Sequence, residues 1–345
     1  MTTERLSTII LEPSKISPEN VEHRDHNNVE SDVEFNLKIN QITDEIHKQK
    51  EPVVLDWMRE IIRFPLTTDA CLHEKNIPKN RFQNILLYDL NRVRINDVNR
   101  GNDYYHASFV DGYDKQNRYI LAQAPFDEDT EYDFWRMVVT TSPSMIVLLA
   151  ATMDGDKGTA YIPQFWNVKK ERKSYGEIVV KTINVAHSKN WDVYSLELSD
   201  KQNTKGVKNP VINLLHYKKW ISDNKVPEYI LDFRAFYQLK KAETEVKKID
   251  GPIMIVCPTG THRAAFFAAM DIIMDRINQE KRVGVKSTVQ IVTKQRYGSF
   301  VFFEHYCNLV ETIVKHCMAS NIVDLHMLAE AELKRSNNNN KKEKE

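Results

Sequence analysis

At 345 residues, 41% hydrophobic and 28% charged, the chain is long enough for one large globular domain with a sizeable core. Lys plus Arg balances Asp plus Glu at 48 each, which removes nucleic acid and an anionic membrane as default partners. Four cysteines without metal-like spacing, and a start (MTTERLSTII) without an apolar run, favour a reducing, cytoplasmic setting, while the longest apolar run, MIVLLAA from Met145, has the length of a buried strand.

Residues 1–40 mix acidic and basic side chains without sustained periodicity, and 334–345 is low-complexity and charged. Both are expected to be disordered arms around a single domain over 41–325. A helix is predicted over 41–64, broken at Pro52. Strands follow in RYILAQA and SMIVLLA, with a helix, EYDFWRMVV, between them, and then in GEIVVKTINVA, WDVYSLEL and PVINLLHY. YILDFRAFYQLKKAETEV reads as a helix, PIMIVC as a short buried strand, and AAFFAAMDIIMDRINQ and FFEHYCNLVETIVKHCMASN as two further helices. The alternation predicts an α/β fold, a mixed sheet with helices on its faces.

The chemistry concentrates in IVCPTGTHRAA, Ile255 to Ala265. A strand ending in Cys257 and turning through Pro258, Thr259, Gly260, Thr261 and His262 into a helix would aim backbone N–H groups at one point, a cradle for an anion. The helix N-terminus and Arg263 would favour the thiolate of Cys257, a nucleophile for phosphorus. A buried structural cysteine beside an unrelated arginine is the alternative reading of this loop alone.

Four further segments surround the loop in order: KNRFQNILLYDLNRVRI from Lys79, DYYHASFVDGYDKQNRYILAQAPFDEDTEYDFWRMV from Asp103, HYKKWISDNKVPE from His216 and QRYGSFVFFEHY from Gln295. Together the five closely resemble the catalytic domain of the phosphotyrosine-specific, non-receptor-like protein tyrosine phosphatases. The single domain with tails and many site substitutions most resembles the divergent members carried by polydnaviruses (bracoviruses) of parasitoid wasps. The resemblance implies a twisted mixed sheet flanked by helices, with the cysteine loop at the base of a cleft. It also implies a reaction without metal or cofactor: cysteine attacks phosphorus, arginine grips the phosphoryl oxygens, a loop aspartate protonates the leaving tyrosine, and a glutamine positions the water that hydrolyses the phosphocysteine.

Carried onto this chain, the resemblance makes Cys257 the nucleophile, Arg263 the phosphate fork and Asp223 the acid, with Phe82, Asn84, Gly260, His262 and Arg263 on the substrate side. Several positions depart from the family. Val256 replaces the histidine before the cysteine, Ala264 the hydroxyl residue after the arginine, and His262 a loop glycine, where the imidazole either disturbs the cradle or adds a donor. The acid loop, WISDNKVP, lacks the family proline and carries one extra residue between Trp220 and Pro227, so Asp223 is either the acid or a solvated turn aspartate. Val301 stands where the water-positioning glutamine belongs, leaving His305 as the group able to take over. Phe82 replaces a tyrosine whose ring packs on phosphotyrosine, or is an ordinary core aromatic, and Asn84 replaces a carboxylate. The expectation is a phosphotyrosine-binding protein with turnover severely reduced or absent, a pseudophosphatase interfering with host signalling. The alternative is a slow but real phosphatase.

Overall fold

The computed structural model describes residues 66–95, 102–152, 161–200, 209–281, 283–320 and 322. The arm over 1–40, the helix predicted over 41–64 and the tail over 334–345 lie outside the described residues.

A turn of helix, α1 (Asp69–Leu72), and a short 3-10 turn (Ile77–Lys79) lead into β1 (Arg92–Arg94), β2 (Tyr104–Val110) and β3 (Tyr119–Gln123). Next come α2 (Glu128–Thr141), β4 (Met145–Leu149), β5 (Ala151–Thr152), β6 (Tyr161–Ile162), β7 (Arg172–Tyr175), β8 (Ile178–His187), β9 (Trp191–Asp200) and β10 (Val211–Tyr217). The chain continues through α3 (Ile230–Val246), β11 (Ile253–Cys257), α4 (His262–Glu280), α5 (Val285–Gln295) and α6 (Phe303–Ala319). All six predicted strands are present, as β3, β4, β8, β9, β10 and β11, and so is each predicted helix within the described residues. The sequence reading lacked α1, the 3-10 turn, β1, β2, β7, the short β5–β6 pair and α5. In β2 the reason is visible: YYHASFV carries His106 and Ser108 mid-strand, and both are buried because they serve an internal arginine.

Nine strands form one sheet in the order β1-β2-β3-β11-β4-β10-β9-β8-β7. The centre, β3-β11-β4-β10, is parallel and both flanks are antiparallel. Strands buried on both faces lose their polar alternation, which explains the unbroken apolar runs MIVLL and IMIVC. Alternate residues still divide between the two faces. Ile253, Ile255 and Cys257 join the core under α3, α4, α5 and α6, whereas Met254 and Val256 join the core under α2, β8 and β9.

Helix α4 is apolar nearly all round and sits centrally in the first of these cores. Its one fully buried carboxylate, Asp271, accepts from Arg234 Nε at 2.9 Å, Tyr119 Oη at 2.8 Å and Tyr237 Oη at 2.9 Å. Burial alone would favour its neutral form, but Arg234 and Lys241 outweigh burial and hold it below the usual carboxylate range. The paired charge locks α4 to α3 and β3, and so fixes the helix whose first turn carries His262 and Arg263.

Candidate active site

Strand β11 ends at Cys257 and α4 starts at His262, so the connecting loop lies at the carboxyl edge of the parallel strands and opens a helix N-terminus. The turn depends on Gly260, which has φ +68°; a Cβ there would lie 2.4 Å from Gln123 N and 2.5 Å from the Ala122 carbonyl carbon. Both are backbone atoms of β3 and its end, which cannot step aside. Gly260→Ala is therefore expected to lower stability by about 3 kcal/mol, through left-handed strain plus overpacking, read as a lower midpoint in urea.

The loop is clamped by a residue that sequence reasoning quoted within its motif but gave no role, Arg296. Fully buried, it donates from Nε to Gly260 O at 2.9 Å, and from Nη2 to Thr259 O at 3.4 Å and His106 Nδ1 at 2.9 Å. Burial and then Arg296 push the His106 imidazole down to about 3, so it is neutral. With Nδ1 accepting, its Nε2–H donates to Ile85 O at 3.0 Å, which ties the cysteine loop to the segment of Phe82 and Asn84. Gln123 supplies a second tie, accepting from Arg81 N at 3.1 Å and donating to Lys79 O at 2.7 Å. The signal for Arg296 was its place in QRYG, directly before the water-positioning loop; no periodicity marks a buried arginine.

The loop amides are turned inward. Pro258 has no N–H to offer. Gly260 N donates to Cys257 O at 3.2 Å, while Thr261 N and His262 N donate to Thr259 Oγ1 at 3.2 and 3.3 Å. The same hydroxyl oxygen receives Thr261 Oγ1 at 3.0 Å and lies 3.7 Å from Cys257 Sγ. A threonine oxygen thus takes the donors that a phosphoryl oxygen would need.

Arg263, fully buried, reaches out of α4 to three acceptors: Trp220 O at 2.7 Å, Leu149 O at 3.3 Å and Asp223 Oδ1 at 2.6 Å. The lengthened acid loop is thereby docked. Trp220 is buried with its ring edge-on to Phe266, and Asn308 of α6 donates to Asn224 O at 3.1 Å. The structure places Asp223 in the site, but as a partner of the arginine. Its second oxygen, Oδ2, accepts from His262 Nδ1 at 3.0 Å. Burial would raise the carboxyl, yet His262 and Arg263 outweigh it and hold Asp223 at about 2. Because the folded value lies below 3.8, this stabilisation is present above about pH 4 and is lost as pH falls toward 2. It is worth on the order of 2 kcal/mol. Acid titrations of folding stability should accordingly show a shallower fall over that window in Asp223→Asn than in the wild type.

The remaining site residues separate into two groups. Phe82 is half-buried beneath the Arg81 guanidinium, 5.5 Å from its ring centroid, and Asn84 is exposed. Val301 and Phe302 are 42% and 48% exposed at the mouth, and the Phe302 ring lies 5.6 Å from His262. His305 is buried 5.1 Å from His262; burial and the neighbouring imidazole push it down to about 4, so it is a neutral ring able to accept a hydrogen bond. Val256 and Ala264 are both fully buried, and Val256 points to the opposite face of the sheet from Cys257. Arg81 and Arg296 both lie within electrostatic range of Cys257. Among the described residues no group of three His, Cys, Asp or Glu side chains could hold a metal ion, and no helix is long and apolar enough to cross a membrane.

A buried cysteine at a strand end, a tight glycine turn and an arginine in the first turn of the following helix define the class of cysteine-based phosphatase sites. The family model described as Protein-tyrosine phosphatase matches residues 76–315, and the chain belongs to the protein tyrosine phosphatase family. The chain is 28% identical over 273 residues to receptor-type tyrosine-protein phosphatase zeta of Rattus norvegicus, covering 76% of this chain and 12% of that protein. It is 33% identical over 225 residues to receptor-type tyrosine-protein phosphatase S of Gallus gallus (65% of this chain, 14% of that one). It is 30% identical over 267 residues to tyrosine-protein phosphatase 69D of Drosophila melanogaster (76% and 17%). It therefore spans roughly an eighth to a sixth of the length of these relatives.

Proposed function

We propose that the protein binds phosphotyrosine-containing proteins through the Cys257–Arg263 cleft, with turnover severely reduced or absent. The observation that carries this reading is the pairing of Asp223 with Arg263 and His262, which leaves the loop aspartate ionised and hydrogen-bonded to cations instead of holding a proton for a leaving tyrosine. Its partners would be phosphotyrosine proteins, not nucleic acid or membranes. It would act in the cytoplasm, a host cytoplasm if the likeness to the polydnavirus proteins reflects its origin, as a non-receptor-like domain that occupies phosphorylated targets and so interferes with host signalling.

Binding is expected to require the incoming phosphoryl group to displace Asp223 from Arg263 and Thr259 from the loop amides. Fluorescence anisotropy with a phosphotyrosine peptide tests the cleft. Arg263→Ala should weaken binding at least about tenfold, since hydrogen bonds to a charged group contribute ~1.5–3 kcal/mol, and vanadate should compete in the wild type. Arg263→Lys should fall between the two because an ammonium cannot form the planar fork. Unchanged affinity in a folded Arg263→Ala protein would place binding elsewhere.

The second reading, a slow phosphatase working through a Cys257 phosphocysteine, draws support from the same docking of the acid loop. The loop already brings Asp223 against Arg263, so one proton and a small displacement separate it from the position of an acid.

A further inference from the structure

Thr259 was not among the residues the family resemblance assigned. Its hydroxyl occupies an unusual position in the loop, and the hydrogens around it can be counted. Thr261 N and His262 N donate to Thr259 Oγ1 at 3.2 and 3.3 Å, and Thr261 Oγ1 lies 3.0 Å from it. The two amides fill the two lone pairs of the hydroxyl, which leaves it one hydrogen of its own to give. Thr261 Oγ1 and Cys257 Sγ, the latter 3.7 Å away, are both in reach of it, and once the thiol is ionised the sulfur has no hydrogen, so in that pair Thr259 alone can donate. Sulfur is large and diffuse, so a donor at this distance is within hydrogen-bonding range, and the bond strengthens when the sulfur is ionised. Thr259 is buried and the thiol fully so, which keeps water from doing the same work.

We infer that Thr259 is a positioning residue for Cys257: its Oγ–H donates to Sγ and stabilises the thiolate from within the loop, in a chain whose residue after the arginine, Ala264, carries no hydroxyl. The two amide donors polarise the threonine oxygen and make its proton a better donor, and they fix its rotamer in the loop before a phosphoryl group arrives. The inference rests on the proposed use of Cys257 at the phosphate site, but its test does not require turnover or a peptide ligand.

The charged and titratable groups gathered around the loop are Arg81 from the Phe82 segment, Asp223 from the acid loop, His262 and Arg263 from α4, Arg296 after α5, His106 from β2 and His305 from α6. A change at Thr259 replaces none of these side chains but does free the Thr261 and His262 amides, so the direction of the shift separates loss of the hydroxyl donor from release of the amides. The measurement is the ultraviolet absorbance of the thiolate against pH on the full chain, each variant taken as a difference from the same protein carrying Cys257→Ser, so that Cys71, Cys307 and Cys317 cancel. Thr259→Val keeps the shape without the hydroxyl and should move the thiolate transition upward by about one pH unit. Thr259→Ser should restore it. If Thr259→Val is not folded by circular dichroism, Thr259→Ala removes the same hydroxyl with less bulk and carries the same expectation. An unchanged transition, or an upward shift that serine does not reverse, would overturn the inference. A downward shift would overturn it too, since it would mean that the hydroxyl chiefly withholds the loop amides from the sulfur. Loss of peptide binding with the upward shift intact would count against the proposed function alone.

Discussion

The wild-type protein is expected to hydrolyse a phosphotyrosine peptide at least 10²–10⁴-fold below the ~1–10³ s⁻¹ typical of enzymes. That factor is what a positioned general acid contributes, and Asp223 is held at about 2 by His262 and Arg263, against the opposing effect of burial. While it is docked the carboxylate is ionised, so it must leave Arg263 and take up a proton before it can serve a leaving tyrosine. The cradle adds to the deficit: Pro258 provides no N–H, and the amides of Thr261 and His262 already donate to Thr259. A substrate must break these contacts before it gains its own, so both the affinity and the chemical step suffer. The measurement is steady-state phosphate release from a phosphotyrosine peptide beside Cys257→Ser. Release within the ordinary enzyme range that disappears in Cys257→Ser would refute the proposed function in favour of an active phosphatase. Release at the background of Cys257→Ser would leave binding as the activity.

What the sequence made legible follows from where each signal resides. The parallel centre of the sheet was readable because strands buried on two faces are continuous apolar runs, as in MIVLL and IMIVC. Cys257, Gly260 and Arg263 were readable because a strand-loop-helix anion site requires a tight turn and a helix start at fixed offsets, and the structure gives Gly260 the positive φ that such a turn needs. Asp223 was legible as a candidate but its chemistry was not. Its partners are 39 and 40 residues away, and only the docked loop shows that the carboxylate meets His262 and Arg263. The imidazole of His262, expected either to disturb the cradle or to add a donor for an anion, donates in the folded loop to the Asp223 carboxylate, a contact that no local pattern contains.

Arg296 and Thr259 were missed for different reasons. A buried arginine breaks the rule that charge lies outside, and it is tolerated here because carbonyls, Ser108 and a neutral His106 accept its hydrogens. The carbonyls come from the cysteine loop and the side-chain acceptors from β2, some 190 residues earlier in the chain, so no local pattern contains them. Thr259 looked like ordinary loop chemistry, because Ser and Thr hydroxyls commonly bond to nearby backbone. What distinguishes it is the convergence of two amides, a second hydroxyl and a sulfur on one hydroxyl group, a property of the folded loop alone.

If Cys257 does attack phosphorus, the second half of the reaction is expected to stall. Val301, which the resemblance puts in place of a water-positioning glutamine, is 42% exposed and its side chain has no atom that can orient a water, and the adjacent Phe302 is 48% exposed. The neutral His305 ring, 5.1 Å from His262, is a group on α6 with a lone pair to offer. Rapid mixing with a phosphotyrosine peptide should therefore release at most one tyrosine product per molecule in a burst, followed by a much slower phase, and intact mass measurement should find a phosphate adduct absent from Cys257→Ser. Val301→Gln supplies the missing amide at an exposed position, where the substitution costs little stability, and should shorten the life of the adduct. His305→Ala should lengthen it if the imidazole assists, and leave it unchanged if water attacks unaided. A steady rate without a burst would show that phosphocysteine breakdown is not the slow step, and a missing adduct would move the defect back to attack, where Asp223 and the occupied cradle act.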